Sequence, residues 1–244
     1  MDEHYLALMP TYAIVALLWF LIYKFFGKPW QGQKEIRFSK PWLELIFAFL
    51  AVVIILIIGQ LYQNDLLIPN ENNHFIDAIN QIIIFSPTIA LVALRKQSSE
   101  TIWLPKSKIP LRLSIGLFLA LISVLTYWII RKDSASLPSL LVNIYQPKNI
   151  SHLVQVFMED ITIALLFVRL SAWIGRKWSI LLVSILFAAG HIPALISNGY
   201  SINELSSLLL DVGIGIAILS AVSKSKDVWW FFIVHFTLDM TQFY

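Results

Sequence analysis

The sequence predicts an all-α integral membrane protein, one bundle of about eight transmembrane helices formed by residues 1–244. Three observations carry this. Hydrophobic residues make up 58% of the chain and charged residues only 14%, where a soluble domain carries roughly 25% charged. Mean hydropathy is +0.73. The apolar residues also fall in continuous runs near the ~20 residues a bilayer core demands of a helix, without the every-second-residue alternation of a membrane barrel. Backbone groups in lipid must be satisfied within their own segment, which makes each run a helix. Disorder is excluded, because it needs low hydrophobicity and high charge.

The runs are Tyr5–Phe26, Trp42–Tyr62, His74–Leu94, Leu113–Ile130, His152–Ile174, Trp178–Ser197, Ser206–Ser223 and Val228–Tyr244. The first follows an acidic start, Met1-Asp2-Glu3-His4. A secretory signal opens on a basic region, so this run reads as a retained anchor. Trp30, Trp42, Trp103, Trp128, Trp173, Trp178, Trp229 and Trp230 stand near run ends, where an interfacial belt is expected; Trp19 lies inside the first run. Residues 132–151 form the one long mixed connection, read as an interfacial loop with a lid as the alternative. Gly213 and Ala217 suggest close packing of the seventh run. Runs one to four form a scaffold (residues 1–150), and runs five to eight carry the chemistry (residues 151–244).

Fourteen of the eighteen basic residues fall on one face: Lys24 to Lys40, Arg95 to Arg112, Arg176 with Lys177, and Lys224 with Lys226. The positive-inside rule makes that face cytoplasmic and puts both termini outside. Arg131, Lys132 and Lys148 lie on the other face. No basic stripe with interleaved aromatics marks a nucleic-acid partner. The chain has no cysteine, which excludes disulfides, thiolate metal sites and cysteine nucleophiles.

Ionisable groups within membrane runs are costly and functional by default. Glu159 and Asp160 are adjacent in the fifth run, His191 is in the sixth, and His235 with Asp239 is in the eighth. At ~1.5 Å per residue, Glu159, His191 and His235 lie ~10, ~9 and ~13 Å below the terminal face, in one layer. Asp77, Asn80, Gln81 and Asp211 read instead as interhelical hydrogen-bonding glue. Arg169 reads as a residue snorkelling to the inner interface. No serine, aspartyl or His-Glu-x-x-His protease motif is present. What remains is a carboxylate that can activate water, with two imidazoles as donors or ligands.

These residues resemble the CPBP family, the CAAX proteases and bacteriocin-processing (Abi) enzymes. That family carries Glu-Glu-x-x-x-Arg, Phe-x-x-x-His and His-x-x-x-Asn/Asp in order. Here the second motif reads Phe187-Ala188-Ala189-Gly190-His191 and the third His235-Phe236-Thr237-Leu238-Asp239. The first is partial, Glu159-Asp160 with Ala164 where the Arg would stand. The resemblance covers roughly residues 150–244. It implies an intramembrane endopeptidase of a bacterial cell membrane, acting on a membrane-associated peptide or protein. Carried over, Glu159 activates water, His191 assists, and His235 with Asp239 stabilises the oxyanion, with Asp160 as the second carboxylate. No cofactor is favoured; His191, His235 and Asp239 could alternatively hold Zn²⁺. The competing readings are an inactive membrane scaffold or regulator on the same fold, favoured by Ala164, and a secondary transporter, disfavoured by the lack of an internal repeat.

Overall fold

The computed structural model describes residues 3–27, 30, 36–69, 73–131, 136–190, 192 and 208–244. The described residues are helical with short connections and form no strand. In chain order the helices are α1 (Glu3–Phe26), α2 (Pro41–Gln63), α3 (His74–Leu94), α4 (Ile109–Arg131), α5 (Leu137–Ile144), α6 (Ile150–Ile174), α7 (Arg176–Gly190), α8 (Leu208–Ser225) and α9 (Val228–Thr241). Local chemistry sets several boundaries. Asn73 caps α3, its side chain accepting from the Phe75 and Ile76 amides at 3.0 and 3.3 Å. Asp227 caps α9 by accepting from the Trp229 amide at 3.0 Å. The mixed connection at 132–151, described from Ser136 onward, is not a plain loop. Beyond Ser136 it forms α5, which buries Leu140 and Ile144 against Val124, Val156 and Phe236.

Among the described residues, five helices are long and apolar enough to cross a bilayer: Ala7–Phe26 within α1, then α2, α3, α4 and α8. Helices stand at the eight expected runs among the described residues, the end of the sixth run beyond Gly190 lying largely outside them, and α6, α7 and α9 are not among the five. α9 is apolar but only 14 residues long. α6 is long enough but carries Glu159, Asp160 and Arg169. The physical reason is position. α6 packs against α2, α3, α7 and α9, so its polar residues face protein, and a helix shielded from lipid needs less hydropathy.

Two close approaches tighten the bundle. A Cβ on Gly116 of α4 would lie 2.6 Å from the Trp230 carbonyl oxygen of α9. A Cβ on Gly215 of α8 would meet Ser184 of α7 at 3.0 Å, while Gly213 has open space around it. The close packing foreseen at Gly213 therefore falls two residues later.

The tryptophan belt is also only partly realised. Trp42, Trp173 and Trp178 are exposed, but Trp30, Trp103 and Trp230 are buried. Trp19 stacks on Trp230 with centroids 5.5 Å apart and joins Trp30 and Tyr23, tying α1 to α9. At that end Asp227 accepts from Arg112 Nη1 at 2.5 Å and Trp30 Nε1 at 2.7 Å, all three buried. Burial pushes the Asp227 carboxyl above the usual carboxylate range, against the pull of the Arg112 guanidinium.

Candidate active site

The site forms where α6 and α9 cross. His235, seven residues into α9, turns its Nδ1 to Asp160 Oδ1 at 3.0 Å. Its Nε2 faces Asp239 Oδ1 at 3.7 Å, one helical turn on and so on the same face. That gap is too long for a hydrogen bond. The ring stacks on Phe231 at 5.4 Å and takes the edge of Phe187 from α7 at 6.4 Å.

The two adjacent carboxylates diverge, as a ~100° step around a helix requires. Asp160 is buried on His235, and its Oδ2 has no hydrogen-bond partner among the described residues. Glu159 is half-buried and accepts from Gln155 Nε2 at 2.8 Å. His191 lies outside the described residues, so its place in the layer is not described.

Two residues join the site that the sequence did not single out. His152 sets Nε2 3.5 Å from Asp239 Oδ2. A line of alternating rings and carboxylates then runs from His152 through Asp239 and His235 to Asp160, from a quarter-exposed end to a buried one. Its spacing was a usable signal, since seven residues before Glu159 is two turns, on the same face. Tyr12 of α1 lines a small cavity of about 60 Å³ with Asp160, His235 and Phe187. No local spacing points to Tyr12, because only tertiary packing brings α1 there.

Of the residues read as glue, Asp77 and Asn80 make such bonds. Asp77 accepts from the Tyr62 hydroxyl and the Ser151 hydroxyl, joining α2, α3 and α6. Asn80 pairs with both backbone groups of Ile68. Arg169 does not snorkel. It is fully buried, donates to the Leu165 carbonyl at 2.9 Å, the Thr101 carbonyl at 3.3 Å and the Gln97 side chain, and lies over Phe38. It therefore does not supply the arginine missing at Ala164, which is itself buried in the apolar core.

Of the zinc set His191, His235 and Asp239, the first lies outside the described residues. Among the described residues no three His, Asp or Glu side chains converge as metal ligands.

Residues 150–241 match the family described as type II CAAX prenyl endopeptidase Rce1-like. The helices that build the site, α6 to α9, are the matched segment. This match is consistent with the CPBP/CAAX protease family, and the bundle of apolar helices around it fits an integral membrane protein. No curated protein and no solved structure matches the chain.

Proposed function

We propose that the protein is an intramembrane endopeptidase that hydrolyses a peptide bond in a membrane-associated peptide or protein by a metal-free, glutamate-activated route. The observation that carries the reading is the His235–Asp160 contact on the two helices that bear the first and third motifs. Glu159 takes a proton from water as the water oxygen attacks the scissile carbonyl carbon. The carbonyl oxygen gains negative charge. A ring protonated on both nitrogens donates Nδ1–H to Asp160 and turns Nε2–H to that oxyanion. The 3.7 Å gap to Asp239 leaves Nε2 the room to do so. Collapse breaks the C–N bond, and Glu159 returns its proton to the leaving amine. His191 assists as a donor, and Asp160 is a positioning residue for His235. Prenylated tails, named in the family's description, and exported peptides are the two substrate classes to test.

The test is cleavage of a farnesylated CAAX peptide and of an exported leader peptide by the purified chain in liposomes. Glu159→Gln and His191→Ala are expected to abolish product while expression and membrane insertion stay intact. Equal processing by wild type and Glu159→Gln would overturn this mechanism. Ala164 at the arginine position supports the second reading, a non-catalytic scaffold, which predicts no product from either chain and unchanged complementation by Glu159→Gln.

A further inference from the structure

α6 carries the candidate site near its start and a second feature near its end. There a groove of about 810 Å³ opens between residues 36–38, the last turns of α6 and α8, and the first residue of α7. Its wall is apolar, built by Phe38, Trp103, Phe167 and Val168. Its rim is basic, with Arg37, Arg176, Lys224 and Lys226. None of the described lining residues is acidic. The acid next in sequence, Asp227, is buried and already paired with Arg112.

Arg176 and Lys224 rest against neutral groups. Arg176 donates to Ser223 Oγ at 3.1 Å and the Ser220 carbonyl at 3.0 Å. The Lys224 ammonium lies 5.5 and 4.8 Å from the ring centroids of Phe20 and Tyr23. Trp173 and Trp178, 57% and 66% exposed, flank the turn at Gly175, as tryptophans do at the level of lipid headgroups.

Several cations above an apolar wall match a phosphate ester attached to hydrocarbon. The volume is of the size that holds a small ligand. Guanidinium groups suit phosphate oxygens, and basic recesses between membrane helices attract anionic lipid. A free phosphate would leave Phe38, Trp103 and Phe167 without a partner. We infer that this groove binds an anionic phospholipid, its phosphate among Arg37, Arg176 and Lys224 and one acyl chain along the aromatic wall. The inference is independent of the peptidase reading, and its test reads binding alone.

The full chain in detergent is titrated with phosphatidylglycerol or phosphatidylcholine, and retained lipid is read by native mass spectrometry. Phosphatidylglycerol should be retained in preference. The double variant Arg176→Gln/Lys224→Gln should lose about fivefold or more of that affinity, and Arg176→Lys/Lys224→Arg should keep it. Lys96→Gln/Lys106→Gln removes the same charge outside the groove and should change nothing. Equal loss in that control assigns the effect to general surface charge and overturns the inference. So does displacement of the lipid by equimolar inorganic phosphate, which makes the ligand a free anion. If the groove variant aggregates, the wild-type melting temperature decides: phosphatidylglycerol should raise it and phosphatidylcholine should not, and no difference overturns the inference.

Discussion

His152 shows how a residue with no motif enters a site. Its ring stands 3.5 Å from Asp239, and Asp239 in turn faces His235. Under the proposed reading it is a positioning residue that steadies Asp239 beside His235. His152→Gln is expected to lower kcat about tenfold, less than the roughly 10²–10⁴-fold of a group that transfers the proton itself, with KM and melting temperature unchanged. A matching loss of melting temperature would mark it as structural instead. Chelation tests the chemistry of the same cluster. Activity is expected to survive a strong chelator, because the proposed route gives the water-activating task to Glu159. Loss of activity restored specifically by Zn²⁺ would make His235 and Asp239 ligands. Much of this layer was legible in the sequence. Glu159, Asp160, His235 and Asp239 declare themselves by their cost in a membrane run. Tyr12 did not, since a tyrosine in an apolar helix carries no such cost.

At the scale of the element, the helices separate by what surrounds them. α2 presents apolar side chains outward over most of its length, while α6 is enclosed by α2, α3, α7 and α9. Hydropathy alone ranks the first far above the second, yet α6 carries the candidate site residues Glu159 and Asp160. Run positions could be read from the sequence because lipid demands continuous apolar length. Which residue makes a close approach could not, because that depends on the partner's register. Gly116 and Gly213 test this difference. Gly116→Ala drives a Cβ against the Trp230 backbone and is expected to cost about 1–3 kcal/mol, the usual range for overpacking. Gly213→Ala enters open space and should leave the melting temperature unchanged. Equal melting of the two variants would count against this packing of α4 on α9.

Over the whole molecule, charge and site point to opposite ends. The groove rimmed by Arg176 and Lys224 lies at one end of α6, and His152 and Asp160 lie toward the other. With the basic end in the cytoplasm, the proposed site opens toward the extracytoplasmic side. Leu66, in the exposed stretch after α2, and Ser107, just before α4, sit on opposite faces of this arrangement. The chain lacks native cysteine, so Leu66→Cys and Ser107→Cys each give one label. An impermeant maleimide in intact cells should react at residue 66 and not at 107. The reverse result turns the site to the cytosol and favours a prenylated cytosolic tail over an exported peptide.

The junction at Asp227 bears on how such a chain can be inherited. Asp227 lies within the family-matched segment, but its cation is Arg112 and its indole donor is Trp30, both outside that segment. Transplanting residues 150–241 onto a foreign set of helices would strand a buried acid, at a cost of about 3–5 kcal/mol for a broken buried pair. Recombination that exchanges the two halves therefore has to carry a cation at position 112 along with the acid at 227. The three motifs fall in one half of the gene, while the unit that can be shuffled is the whole of it.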